Sequence, residues 1–295
     1  MEKENLYRSS DSSPSPLTSI SIAPKGRLIA CGKMDSEILL LDSRSGKPKR
    51  GITGHTGAVT DVSFAGTSNA VLSCSWDQTT RLWNVKNVED TLILKHPSEV
   101  KALAISLKLG KGASGSRDGM VKVFSLRSLK SIRNLQAHNS DISGIAIIDD
   151  DQKIVTASYD GTCRLWDLSS YDAEKTVIEQ NDRIRSMTVV PDGSSVLLGY
   201  QNGTILQINI ANVKEKFKMT GHTDIISALA VDPSGHYLAS ASWDRTIRIW
   251  SLENKSEVAT GQLVAGIASL AWAPDGSILY SADLSGTVVS WTLSI

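Results

Sequence analysis

The sequence predicts an all-β fold built from seven copies of one sheet-forming unit. Three observations predict it: a segment that recurs at a nearly constant period, an alternation of apolar and polar residues inside each copy, and turn-forming residues at equivalent points of the copies. No stretch shows convincing helical periodicity. The repeat therefore organises the chain, and the strands and turns are placed within it.

The repeat is clearest in Ser73–Trp83, Thr156–Trp166 and Ser240–Trp250, which align residue by residue. The same frame places a turn at positions 35, 77, 118, 160, 202, 244 and 285, in steps of 41 or 42 residues. Copies this regular leave no room for an inserted domain. We expect one domain over residues 1–295, with repeats at about 10–42, 52–84, 93–125, 135–167, 177–209, 219–251 and 260–292.

Three strands are predicted within each copy. In the second copy, Val59–Phe64 alternates, Ala70–Ser75 runs to a tight turn at Asp77, and Thr80–Trp83 continues after it. Turn residues recur at equivalent points of other copies, as in Pro191-Asp192-Gly193, where proline and glycine supply the backbone angles of a tight turn. Each copy therefore reads as a small antiparallel sheet.

Dipeptides at fixed places in the copies carry a family resemblance. They are Gly54-His55, Gly221-His222, the variants Lys95-His96 and Ala137-His138, and Trp166-Asp167. With these residues the chain resembles the WD-repeat family, which implies a seven-bladed β-propeller with four strands per blade. The resemblance also implies closure by the two chain ends, so we expect a strand at about residues 4–9 to pair with the last blade.

Composition excludes several classes of function. The 295 residues include 31 basic and 31 acidic ones, so the net charge of zero gives no general attraction to nucleic acid or to anionic membranes. No secretory signal or membrane anchor is predicted, which favours the cytoplasm or the nucleus. The cysteines Cys31, Cys74 and Cys163 have no metal-ligand spacing, and we expect reduced, buried thiols.

The resemblance implies a hydrogen-bonded tetrad of His, Ser or Thr, Asp and Trp within a blade. Three complete sets are predicted: His55, Ser73, Asp77, Trp83; His138, Thr156, Asp160, Trp166; and His222, Ser240, Asp244, Trp250. A fourth set, His96, Ser114 and Asp118, ends in Phe124, which has no indole donor. These residues resemble a hydrolase triad, yet their repetition favours a structural role, so we predict no enzyme, catalytic residue, metal or cofactor.

A partner-binding site is expected on the top face of the propeller. By family analogy, the residue before the turn aspartate and the third and fifth residues after the histidine position face this side. The resulting candidates are Trp76, Lys101, Arg117, Tyr159, Arg183, Arg185 and Trp243. Aromatic residues and arginine are common binding hot spots, so the hypothesis is an extended acidic or phosphorylated peptide, bound by a monomer within a hetero-complex.

Two other functions stay open. A substrate-recognition subunit of a ubiquitin ligase is one, although the chain has no F-box-like helical segment and only the weak adaptor-docking approximation Phe124–Arg127. A component of an RNA-processing or ribosome-assembly ribonucleoprotein is the other, and salt-sensitive RNA binding would identify it. The main expectation is a non-catalytic protein-protein interaction scaffold, since fold alone does not define function.

Overall fold

The computed structural model describes residues 1–9, 13–89, 91–148, 152–214 and 216–293. Within these ranges all regular structure is β, and 28 strands form seven four-stranded antiparallel sheets, the blades. This confirms the predicted seven-bladed β-propeller. The expected first repeat begins at residue 10 and the expected domain ends at residue 295, and residues 10–12 and 294–295 lie outside the described residues.

In blades 1 to 6 the strands run in chain order from the central channel outward, whereas in blade 7 the outermost strand is the N-terminal β1. Blades 1 to 3 contain β2 (Leu17–Ile22), β3 (Leu28–Lys33), β4 (Ile38–Asp42) and β5 (Pro48–Ile52); β6 (Val59–Phe64), β7 (Ala70–Ser75), β8 (Thr79–Asn84) and β9 (Leu92–Lys95); and β10 (Val100–Ser106), β11 (Lys111–Ser116), β12 (Met120–Ser125) and β13 (Ser131–Gln136). Blades 4 and 5 contain β14 (Ile142–Ile148), β15 (Lys153–Ser158), β16 (Thr162–Asp167) and β17 (Ala173–Glu179); and β18 (Ile184–Val189), β19 (Ser195–Tyr200), β20 (Ile205–Asn209) and β21 (Lys216–Met219). Blades 6 and 7 contain β22 (Ile226–Val231), β23 (Tyr237–Ser242), β24 (Thr246–Ser251) and β25 (Ser256–Gln262); and β26 (Ile267–Trp272), β27 (Ile278–Asp283), β28 (Thr287–Thr292) and β1 (Glu2–Arg8).

The ring is closed by the N-terminal strand, as predicted. Strand β1 pairs antiparallel with β28, from Glu2 opposite Thr292 to Arg8 opposite Thr287. It starts two residues earlier than the expected strand at about residues 4–9. This pairing covers the edge of β28, which would otherwise expose unpaired backbone groups.

The apolar core lies between neighbouring blades. Val155 and Leu165 of blade 4, for example, pack in one cluster with Val196 and Leu198 of blade 5. Because each blade is covered on both faces, its second strand is buried along almost its whole length, and every residue of β19 is buried. The three cysteines are free and buried, in agreement with the sequence-based expectation.

Candidate functional site

One backbone hydrogen bond recurs in all seven blades and builds the top face. The N–H of the residue before the turn donates to the carbonyl of the loop that enters the same blade. The donor and acceptor pairs are Met34–Pro16, Trp76–Ala58, Arg117–Glu99, Tyr159–Asp141, Gln201–Arg183, Trp243–Ile225 and Leu284–Gly266. The top face is thus the face formed by these turns and loops. In each blade the bond places the residue before the turn beside the third residue after the histidine position.

A β-bulge at the start of each innermost strand directs a third set of side chains toward the channel. The residues left out of the pairing are Thr18, Thr60, Lys101, Ser143, Arg185, Ser227 and Ala268. Two of the short side chains join neighbouring blades: Thr60 Oγ1 donates to the Val100 carbonyl over 2.7 Å, and Ser227 Oγ donates to the Ile267 carbonyl. Lys101 and Arg185 instead carry long cationic side chains at the channel mouth.

The central channel contains a cavity of about 350 Å³ that residues of all seven blades line. Asp61 lies in its wall, where it accepts hydrogen bonds from the backbone N–H groups of Val62, over 2.9 Å, and Leu103, over 3.0 Å. Burial outweighs these two bonds and raises the pKa of Asp61 to about 7. This carboxylate is not among the residues predicted from the sequence.

Five of the seven predicted partner-binding residues line one depression on the top face. It has a volume of about 590 Å³, and its predicted lining residues are Trp76, Lys101, Arg117, Tyr159 and Arg183. Glu99 and Asp141 line it as well. The remaining two candidates, Arg185 and Trp243, lie next to it, so the structure brings all seven predicted residues to the same face.

The cations of blade 3 are paired with acidic residues. Lys101 Nζ forms a close ion pair with Asp141, and Arg117 lies 3.4 Å from Glu99 and 3.9 Å from Asp141. From the sequence alone, Lys101 and Arg117 would supply positive charge to a partner. Their charge is instead largely neutralised within the rim.

Arg185 of blade 5 is held between two aromatic rings. Its guanidinium lies 4.4 Å from the ring centre of Tyr159 and 5.8 Å from that of Trp243, distances typical of cation–π contacts. Arg183 is exposed beside it. Among the described residues, neither arginine forms an ion pair. Arg183 and Arg185 of blade 5 therefore supply unpaired positive charge to the top face.

The predicted tetrad of blade 2 is a continuous chain of hydrogen bonds. Trp83 Nε1 donates to Ser73 Oγ over 2.7 Å, Ser73 Oγ donates to His55 Nε2 over 2.7 Å, and His55 Nδ1 donates to Asp77 Oδ2 over 2.7 Å. This assignment holds for the neutral imidazole, which is favoured because burial lowers the pKa of His55. The set satisfies buried polar groups inside the blade and leaves the His55 side chain fully shielded from solvent.

Of the other two predicted tetrads, the one in blade 6 has the same links as that of blade 2, and the one in blade 4 differs at the link to the aspartate. In blade 6 the distances from Trp250 through Ser240 and His222 to Asp244 are 2.8, 2.8 and 2.9 Å. In blade 4, Trp166 and Thr156 are linked to His138 in the same way, but His138 Nδ1 bonds Thr162 Oγ1 over 2.7 Å, and Thr162 donates to Asp160 over 2.6 Å. A threonine two residues after the aspartate occurs in all three sets, as Thr79, Thr162 and Thr246. This Asp-x-Thr spacing is a sequence signal that could have identified the fifth member.

Blade 3 contains the incomplete set. His96 Nε2 lies 3.0 Å from Ser114 Oγ and 3.2 Å from Thr80 Oγ1 of blade 2, while its buried Nδ1 has no partner among the described residues. Asp118 accepts hydrogen bonds from Ser116 Oγ and the Met120 N–H instead. Burial lowers the pKa of His96 to about 4, so this imidazole is neutral at neutral pH.

Two negative findings concern the described part of the chain. No group of three or more His, Cys, Asp or Glu side chains there is placed to hold a metal ion. No helix in those residues is long and apolar enough to cross a membrane.

Comparisons with known proteins identify the repeats. A family model described as "WD domain, G-beta repeat" matches residues 46–84, 129–167, 213–251 and 257–292, together slightly more than half of the chain. Over 136 residues the chain is 32% identical to the nuclear distribution protein PAC1 of Arthroderma otae, which covers 42% of this chain and 30% of that protein.

Two further relatives carry different names. The U3 small nucleolar RNA-associated protein 15 homolog of Xenopus tropicalis is 34% identical over 112 residues, 37% of this chain and 22% of that protein. Periodic tryptophan protein 2 of Saccharomyces cerevisiae is 26% identical over 121 residues, 39% of this chain and 13% of that protein. The matched part is less than a third of each relative, so the relatives' whole-protein functions do not transfer directly. The family model and the seven four-stranded blades agree, and the chain belongs to the WD-repeat family.

Proposed function

We propose that this propeller is a non-catalytic scaffold in an intracellular multiprotein complex, in the cytoplasm or the nucleus, and that its top face binds a peptide segment of a partner. One observation carries the proposal: exposed Trp76 and Trp243 flank a depression beside Arg185, whose charge no acidic residue of the described chain neutralises. Large aromatic side chains and arginine dominate the energetics of many protein interfaces. The names of the relatives denote nuclear distribution and association with small nucleolar RNA, and none of them denotes a catalytic activity.

The test compares proteins recovered from cells with three forms of the full chain. The top-face variant carries Trp76→Ser, Arg185→Gln and Trp243→Ser. The matched control carries Leu107→Ser, Ile132→Ser and Val258→Ser, which remove three exposed apolar side chains from other surfaces. We expect the top-face variant to lose a defined set of proteins that the wild type and the control both retain. Equal recovery by all three forms would contradict the proposal.

Direct RNA binding is the second candidate, because one relative is named for its association with small nucleolar RNA. Lys101, Arg117, Arg183 and Arg185 would supply the phosphate contacts. The pairing of Lys101 and Arg117 with Asp141 and Glu99 weakens this candidate. A gel-shift titration with single-stranded RNA at several salt concentrations tests it: binding that falls with salt and is lost in the Arg183→Gln, Arg185→Gln variant would favour RNA over a peptide.

A further inference from the structure

Exposed apolar side chains are concentrated on the top face. Ten large apolar residues are exposed in the described chain, and five of them lie on the top face: Met34, Trp76, Trp243, Val264 and Leu284. Four of these five occupy the position before the turn, in the consecutive blades 6, 7, 1 and 2 around the ring. We call these five residues the apolar arc. Exposed apolar side chains grouped on one face often mark an interaction site.

A notch interrupts the apolar arc between blades 6 and 7. A Cβ atom at Gly266 would lie 3.5 Å from Leu284 Cδ1 and 3.8 Å from Trp243 Cδ1, which is ordinary contact distance. Because Gly266 has no side chain, no Cβ atom lies between Trp243 and Leu284, and the notch is the gap that this leaves. Val264 stands at the edge of this notch with 91% of its surface exposed.

The backbone does not require glycine at this position. Gly266 is absent from the residues with positive φ, so an L-amino acid can adopt its conformation without strain. The path of the loop therefore does not account for glycine at this position.

The notch lies beside Arg185, an unpaired cation of the top face. Arg185 stacks 5.8 Å from the Trp243 ring that forms one wall of the notch, whereas the cations of blade 3 are paired with Glu99 and Asp141. An apolar pocket next to an unpaired guanidinium is complementary to an apolar side chain next to an anion.

We infer that the notch formed by Trp243, Gly266 and Leu284 receives one large apolar side chain of a partner peptide, and that an anionic side chain within two residues of it pairs with Arg185. This inference rests on the proposed function in that the top face is the binding face. It specifies the partner segment as an acidic–apolar motif, and it assigns the anion contact to Arg185.

The test selects random seven-residue peptides, displayed on phage, against the wild-type chain. We expect the enriched peptides to combine Leu, Ile, Met or Phe with Asp or Glu within two positions. Synthetic copies of these peptides, with Glu replaced in turn by Gln and by phosphoserine, then separate a carboxylate requirement from a phosphate requirement.

Three variants test the two contacts separately. Gly266→Leu fills the notch and should weaken the selected peptides about tenfold or more, since apolar anchors carry much of the affinity of such interfaces. Val264→Ser alters only an exposed side chain and should weaken them in the same direction, which covers the case in which Gly266→Leu unfolds. Arg185→Gln should abolish the preference for Glu over Gln while the apolar preference remains, and Ile132→Ser on the outer strand of blade 3 should change neither.

The possible failures are distinguishable. Enriched peptides that lack the acidic–apolar pairing, or that bind Gly266→Leu and Val264→Ser as tightly as the wild type, overturn this inference. If those peptides also bind the Trp76→Ser, Arg185→Gln, Trp243→Ser variant unchanged, the proposed top-face function fails as well. A selection without any enrichment counts against both.

Discussion

His55 Nδ1 donates a hydrogen bond to the Asp77 carboxylate over 2.7 Å, and this bond ends a chain of donors that begins at an indole N–H. In blade 3 the corresponding aspartate, Asp118, makes no such bond to His96. The two blades therefore offer the same residue pair with and without the contact. This difference makes the contribution of the tetrad measurable.

The first prediction concerns Asp77. We expect Asp77→Asn to lower the free energy of unfolding by about 2 kcal/mol, because it removes a charge-assisted acceptor from a buried network. Asp118→Asn is the matched control and should cost less, since Asp118 is exposed and bonds only its own turn. Denaturant unfolding of both variants measures the difference. Equal losses would show that the turn, and not the bond to histidine, accounts for the stabilisation.

The second prediction concerns ring closure. Gly46 has a φ of +65°, and a Cβ atom there would lie 1.7 Å from the carbonyl oxygen of Leu6 in β1. Gly46→Ala should therefore displace the closing strand in addition to straining the turn. Gly110 has a φ of +60°, and a Cβ atom there would have no other atom within 4 Å, so Gly110→Ala is a control with the backbone strain alone.

We expect Gly46→Ala to lower the melting temperature by several degrees more than Gly110→Ala, and to promote association by exposing the edge of β28. Thermal unfolding and size-exclusion chromatography measure the two effects. If both variants behave alike, the contact of β1 with the turn at Gly46 does not contribute to closure.

The propeller itself could be predicted from the sequence, because each blade repeats the same local signals. A turn residue every 41 or 42 residues, aspartate in five of the seven copies, and an aromatic residue six positions after it in several copies define seven units without knowledge of their contacts. The start of β1 was less predictable. Its pairing with β28 joins residues nearly 290 positions apart, and the short segment contains little alternation of its own.

The charges of the top face could not be assigned from the sequence. Lys101 pairs with Asp141 of the next blade, 40 residues away, so the neutralisation depends on how blades meet and not on either repeat alone. The notch at Gly266 was missed for a similar reason, since its walls come from two different blades. Positional analogy located the rim residues, while contacts between blades decided which of them stay available.

The third prediction concerns the thiols. Cys31, Cys74 and Cys163 are fully buried, and burial raises the pKa of all three, that of Cys31 to about 12. Because the thiolate is the reactive form, a disulfide reagent such as DTNB should label none of them in the folded protein at pH 8 and all three in guanidinium. Labelling of any thiol under native conditions, at a rate faster than global unfolding, would reveal local opening of its blade.

The last prediction is a pH dependence that originates at Asp61. Its pKa of about 7 in the folded protein lies above its ordinary value of 3.8, so the folded state holds this proton more tightly than the unfolded chain does. The contribution of Asp61 to stability is therefore fully present below about pH 4 and is lost as the pH rises through 7. Lys101 and Arg185 line the same channel.

Asp61→Asn removes the titration while keeping the side-chain size. Relative to the wild type, we expect the free energy of unfolding of this variant to rise from pH 5.5 to about pH 7.5 and to level off from there to pH 8.5. Asp192→Asn is the control, because hydrogen bonds from Ser194 lower the pKa of Asp192 and move its titration below this window. Urea unfolding at intervals of one pH unit measures both differences. A constant offset between Asp61→Asn and the wild type across the window would mean that the Asp61 carboxylate is already ionised at pH 5.5, and that the two backbone N–H groups from Val62 and Leu103 outweigh its burial.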